Sequence, residues 1–363
     1  MSRLFRPSVV LPLIFAVVVI GGLLRFADSK KVVALMSAFP RRDLALYLLL
    51  MVCYEFVRGL QWHVLLGILK LRVPLRAQIF SFAVGEISKS LPIGNYFQNY
   101  VLQVAEGIDI GRTSAATTLI ILIEVAVSLL GVVVLGLGEW TSWLRPLIII
   151  GLLITSIVAV AYAKLHHAHS PPKWMTQSDN MRKLLEELRQ FREGVADLLH
   201  VRLLIVPVAL GAVYLVIAGT ALYLIARGLD VRGLTYGETL SVYFLSLAFG
   251  LIFPLPVDIG VTEISGVGAL LAVGVDRNKA VSLVLLNRVL SIGAAIAIAL
   301  VVVAILHDEL IATLRGRAIP PSEPSAANGA AVGSRRRESN GPDGRHSVDQ
   351  TRVGGPQAKD HTT

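Results

Sequence analysis

Six stretches of about 20 predominantly apolar residues constrain this chain more than any other feature, because that is the helical length needed to cross a hydrocarbon core. They run roughly from Val9 to Leu24, Leu44 to Leu69, Ala115 to Gly138, Leu144 to Ala163, Leu203 to Ala226 and Ala280 to Leu306. Hydrocarbon offers no hydrogen-bond partner to a peptide group, so such stretches fold as helices. Across 363 residues, 54% are hydrophobic and 16% charged, and the mean hydropathy is +0.67, which excludes a water-soluble globule. The first stretch follows Arg3 and Arg6 and has the look of a signal peptide. A cleavage after Ala27, however, would put Arg25 where a small residue is required, so the stretch reads as an uncleaved anchor.

Of the net charge of +9, +8 belongs to the apolar part, because residues 307–363 hold 8 basic and 7 acidic side chains. Basic residues punctuate the apolar runs instead of gathering on one face, as expected of topology determinants, and a nucleic-acid partner is not expected. The single cysteine, Cys53, lies inside an apolar run, so no intrachain disulfide or thiolate metal site exists. Residues 164–202 carry seven basic, five acidic and four His residues. Leu184, Leu185, Leu188, Phe191, Val195 and Leu199 fall there at helical spacing, the pattern of an amphipathic helix at the membrane interface. His166, His167 and His169 read as titratable residues at a membrane surface, with no carboxylate near them in sequence to make a metal site. No metal or other cofactor is expected. Beyond His307 the chain turns to Pro, Gly, Ser, Asn and Arg, which predicts disorder.

Two further apolar segments, Ala77 to Val104 and Gly237 to Val275, are broken at Leu91-Pro92-Ile93-Gly94 and at Phe253-Pro254-Leu255-Pro256-Val257-Asp258-Ile259-Gly260. The arms around the first break are too short to cross separately, which predicts a helix-break-helix hairpin. The two segments also match in spacing: Glu124 follows Leu91 by 33 residues, and Arg288 follows Leu255 by 33. Matched breaks in two halves are the pattern of transporter folds whose substrate binds at the repeat interface. Counting crossings from a cytoplasmic N-terminus makes the halves inverted and puts most Lys and Arg, and the tail, inside.

Ionisable side chains in mid-helix cost about 2.5 to 3.5 kcal/mol each to insert, so each calls for a partner, water or a function. Glu55 and Arg58 lie three apart on one helix and can neutralise one another, as can Glu86 and Lys89 just before the first break. Glu124 and Arg288, at the same repeat position with opposite signs, suggest either a central ion pair or a site in which Arg288 holds a phosphate and Glu124 balances it. Asn95, Gln98 and Asn99 follow the first break. Asp258, Thr262 and Glu263 surround the second, and Asn287 neighbours Arg288. These eleven residues, Glu86, Lys89, Asn95, Gln98, Asn99, Glu124, Asp258, Thr262, Glu263, Asn287 and Arg288, form the expected substrate site. The chain has no phosphate-binding loop, His-Glu-x-x-His or Asp-x-Asp, so neither ATP nor zinc hydrolysis is supported.

At the two breaks the chain resembles the flippase-like transmembrane family related to the membrane half of lysylphosphatidylglycerol synthases. The resemblance spans roughly residues 10–306. It is carried by Leu91-Pro92-Ile93-Gly94 with Glu124, and by Leu255-Pro256, Gly260-Val261-Thr262-Glu263, Gly274-Val275 and Asn287-Arg288. The family usually has Pro-Gly-Gly where this chain reads Val257-Asp258-Ile259, and an Arg soon after the first break where this chain has Asn95, Gln98 and Asn99. The resemblance implies translocation of a lipid or lipid-linked intermediate between leaflets, or its presentation to a lipid-modifying enzyme. The chain stops before any aminoacyl-transferase domain, so lysyl transfer is not expected.

The expected architecture is therefore all-α, a polytopic transmembrane bundle over residues 1–306 of two inverted repeats, each with a broken or re-entrant hairpin. Repeat one covers about 44–138 and repeat two about 203–306, with the cytoplasmic amphipathic connection at 164–202 and a polar tail at 307–363. The expected function is lipid transport in the cell membrane, with no catalytic residue assigned. The alternatives are a membrane enzyme acting on a lipid-linked sugar and a non-catalytic scaffold for lipid-modifying enzymes.

Overall fold

The computed structural model describes residues 20–88, 94–135, 179–198, 201–252 and 260–306. Among them every regular element is helical and no strand occurs. In order these are α1 (Ser29–Ser37), α2 (Arg41–Ile68), α3 (Leu75–Ser88), a 3-10 turn (Gly94–Tyr96), α4 (Phe97–Glu106), α5 (Ile110–Leu135), α6 (Asp179–Leu198), α7 (Val201–Gly228), α8 (Tyr236–Ile252), α9 (Val261–Ala272) and α10 (Arg277–Ile305). Residues 20–26 are helical as well.

Among the described residues three helices are long and apolar enough to cross a membrane: Ile110–Leu135, Arg202–Gly228 and Arg277–Ile305. They carry three of the six predicted stretches. A fourth, Leu44 to Leu69, forms most of α2, whose 28 residues extend about 42 Å but bear Glu55 and Arg58 in mid-course. Leu144 to Ala163 and most of Val9 to Leu24 lie outside the described residues.

Local chemistry fixes where the helices turn. Asp276 accepts from the backbone N–H of Asn278 and Lys279 and so caps α10, while Asp28 caps α1 through Lys30 and Lys31. Between α9 and its preceding break stands Gly260 at φ +118°, a region that side chains rarely enter. The Glu263 carboxylate reaches back to accept from the Gly260 N–H at 2.5 Å, the acidic half of a capping box.

Among the described residues two apolar cores form. One contains Tyr47 and Met51 of α2, Val125, Leu129 and Val132 of α5, and much of α7 to α10. The other contains Trp62, Leu65, Leu66 and Leu69 of α2, Ala115 to Ile123 of α5, Leu102 of α4 and Leu198 of α6. Both α2 and α5 thus run from one core into the other, and Arg58 and Glu124 stand where they pass between them. The apolar stripe of residues 164–202 turns in part towards α5. Phe191 and Val195 pack on the second core, and Glu187 and Gln190 crowd Gly111 so closely that a Cβ there would meet the Glu187 carbonyl at 2.4 Å.

Candidate functional site

Helix α2 presents Tyr54, Glu55 and Arg58 within one turn, and the helices around it complete their chemistry. Arg58 is buried, and its Nη1 donates to Glu86 Oε1 on α3. Its Nε lies 3.4 Å from Glu124 Oε1 on α5. Tyr214 on α7 donates its hydroxyl to the same Glu124 oxygen at 2.9 Å, and its ring meets Tyr54 edge-on with centroids 5.4 Å apart. Four helices therefore converge on one guanidinium. A buried charge of this kind is tolerated only because carboxylates from neighbouring helices compensate it.

The second group of charges lies on α9 and α10. Arg288 Nε stands 3.1 Å from Glu263 Oε1, while the other carboxylate oxygen of Glu263 holds the Gly260 N–H. The Glu263 side chain is 2% exposed and that of Arg288 26%. Tyr47 of α2 fixes the neighbouring residue, donating to the Asn287 carbonyl at 3.3 Å and to its Oδ1 at 3.2 Å.

Two pairings read along the sequence are corrected here. Arg58 forms its ion pairs with Glu86 and Glu124 rather than with Glu55, and Arg288 pairs with Glu263 rather than with Glu124. A long guanidinium reaches acids on facing helices and so offsets the cost of burying charge on more than one of them.

Both groups line one cavity of about 220 Å³ between α2, α3, α5, α7, α8, α9 and α10. Glu55, Glu86, Glu124, Thr262, Glu263, Asn287 and Arg288 all face it, with Tyr47, Tyr54 and Tyr243 among its aromatic walls. At its rim Ile87 of α3 and Ile296 of α10 are 37% and 39% exposed. The cavity thus joins a charged interior to the apolar outer surface of the bundle.

The sequence pattern of the lysylphosphatidylglycerol synthase transmembrane region matches residues 9–306. The chain belongs to this family. The match takes in every cavity residue named above, and it makes the chain a membrane protein of a lipid-associated domain family. A comparison with curated proteins finds no significant match.

The remaining expected site residues divide. Gln98 and Asn99 are buried and hydrogen-bonded to α5: Gln98 donates to Thr117 at 3.1 Å, Thr117 to Asn99 at 3.1 Å, and Asn99 to Ser114 at 3.2 Å. They tie α4 to α5, and Gln98 also lines a small pocket with Arg58 and Glu86. Lys89, Asp258 and the side chain of Asn95 lie outside the described residues, as do His166, His167 and His169. Tyr47, Tyr54, Tyr214 and Tyr243 were not legible as site residues, since an aromatic in an apolar run reads as core. The available signal was that Tyr54 and Arg58 share a face at a spacing of four.

Proposed function

We propose that this family member is a lipid transporter of the cell membrane, passing a polar head group through the central cavity while the acyl chains remain in the bilayer. The observation that carries the reading is the joining of a charged, partly exposed cavity to an apolar rim at Ile87 and Ile296. A volume of about 220 Å³ is below the roughly 300 to 1,000 Å³ of pockets that enclose a drug-sized molecule. It suits a head group and not a whole lipid. Arg288 offers its planar guanidinium to a phosphate or carboxylate, with Thr262 and Asn287 beside it on the same wall.

The two-repeat organisation belongs to the same proposal and has support in the packing. Helices α2 and α7 pack against each other, α3 packs on α10, and α8 packs reciprocally on α5. The turns ending α2 and α7 are alike, with Lys70 and Asp230 in the left-handed region and the same pattern of backbone hydrogen bonds. Counted back from those turns, Tyr54 and Tyr214, the edge-on pair, fall at equivalent positions. Inversion of the repeats, re-entrant hairpins and a cytoplasmic N-terminus and tail complete the scheme.

The test is reconstitution of the full chain into liposomes containing acyl-labelled fluorescent phospholipids of differing head group, followed by a membrane-impermeant quencher. Faster loss of the inner-leaflet signal than in protein-free liposomes is expected for at least one head group. Rates equal to the protein-free control for anionic, zwitterionic and cationic head groups alike would overturn the proposal.

A further inference from the structure

Arg288 faces the cavity with a counter-charge already in place, and the way it holds that counter-charge limits what else it can hold. Its Nε lies 3.1 Å from Glu263 Oε1. That leaves the end-on fork of the guanidinium, Nη1 and Nη2, from which no group accepts among the described residues. Glu263 is not free to swing aside. Its second oxygen accepts from the Gly260 N–H at the start of α9, and its side chain is 2% exposed. We propose that Glu263 is a specificity-determining residue: it fixes the charge of the α9–α10 wall so that Arg288 accepts an oxyanion of one negative charge, as in a phosphodiester, and rejects one of two, as in a phosphomonoester.

Arg288 and Glu263 together bring no net charge to their wall. A monoanion docked end-on adds one negative charge, which the fork and the neutral donors beside it can hold. Those donors are Thr262, on the first turn of α9, and Asn287. Tyr47 occupies the Asn287 carbonyl and Oδ1, and the Asn287 amide N–H groups have no acceptor among the described residues. A dianion adds a second charge, which hydrogen bonds from neutral groups do not cancel. It also stands close to the Glu263 carboxylate in a cavity walled largely by apolar and aromatic side chains, where like charges repel more strongly than in water. The other guanidinium gives no relief, since Arg58 is buried in its ion pairs with Glu86 and Glu124. This inference rests on the head-group reading above and narrows it. The substrate class is a lipid whose head group presents a singly charged oxyanion, and lipids that end in a bare phosphate are turned away.

The test reads binding and not transport. Phosphatidylmethanol and phosphatidic acid with the same acyl chains differ by one methyl group and, at mildly alkaline pH, by one charge. Native mass spectrometry of the full chain, released from nanodiscs holding equal amounts of the two, measures which lipid it retains. The unaltered protein should retain the methyl ester about tenfold over the bare phosphate. Glu263→Gln keeps an acceptor for the Gly260 N–H but removes the charge, and it should bring the two lipids to near-equal retention. Arg288→Gln should lower the retention of both. Equal retention by the unaltered protein overturns the proposal without any variant having to fold, as does an unchanged preference in Glu263→Gln. Glu124→Gln should shift the preference much less than Glu263→Gln, and an equal shift would assign the selection to the cavity as a whole and overturn the role of Glu263. Methyl phosphate, the same ester without acyl chains, should not displace the retained lipid. Displacement by methyl phosphate but not by inorganic phosphate would leave the charge filter standing and give it a soluble anion, at the expense of the lipid reading. If the liposomes show no lipid movement while the preference behaves as expected, the transport reading falls and the filter stands.

Discussion

At the scale of single residues, Arg58 and Arg288 have different work although both line the same cavity. Arg58 is buried at the meeting of α2, α3 and α5, and its removal breaks its ion pairs with Glu86 and Glu124 from one side. Arg58→Leu should therefore cost about 3 to 5 kcal/mol of stability, the loss typical of breaking a buried pair from one side. Thermal unfolding in detergent, followed by tryptophan fluorescence, measures it. Arg288 is more exposed, and its role in the proposed site depends on the planar fork rather than on charge alone. Arg288→Lys should leave thermal stability close to that of the parent and lower the liposome rate about tenfold, equivalent to about 1.4 kcal/mol of a charge-assisted contact. An unchanged rate would mean that a diffuse positive field suffices there. The charged residues themselves were legible, since a Glu or Arg inside an apolar run stands out. Their partners were not, because an ion pair across helices leaves no spacing signal.

At the scale of elements, the docking of α6 on α5 depends on one close approach. Where Gly111 faces the backbone carbonyl of Glu187 and the Cβ of Gln190, any larger residue must push α6 away, since backbone cannot swing aside as a flexible side chain can. Arg112 secures the same contact, donating to the Leu69 carbonyl at 3.1 Å and to Asp197 at 3.0 Å. Gly111→Leu should detach α6 while α5 still spans the membrane. Limited proteolysis of the protein in nanodiscs should then cut within Asp179–Leu198 at least several-fold faster than in the parent. Equal cleavage rates would show that α6 is held mainly elsewhere. The helix was readable from its 3.6-residue apolar period, but the same stripe serves a lipid surface or a neighbouring helix equally well, and only the glycine contact distinguishes them.

At the scale of the whole molecule, the apolar pattern and the family match both end at residue 306. The remaining 57 residues are rich in Pro, Gly, Ser and Arg and offer almost nothing to bury. A chain ended after Leu314 should express, insert and melt within about 1 °C of the full chain, a shift that corresponds to well under 1 kcal/mol. A melting point lower by several degrees would show that the tail contributes to the fold. What the sequence determined by itself is whatever follows from the cost of placing a chain in hydrocarbon. That cost makes apolar runs helical, gives each ionisable residue within them a partner or a function, and marks Pro- and Gly-rich interruptions as breaks. Helical form, membrane residence, the family, and the presence of Glu86, Glu124, Glu263 and Arg288 inside otherwise apolar segments all belong to that class. What only the tertiary structure decided is who meets whom: Arg58 with Glu86 and Glu124, Arg288 with Glu263, Tyr47 with Asn287, and Gln98 and Asn99 with α5. These outcomes depend on the rotation of each helix about its axis and its depth against its neighbours. Such variables are set by packing between segments far apart in the chain, and no local pattern of residues encodes them.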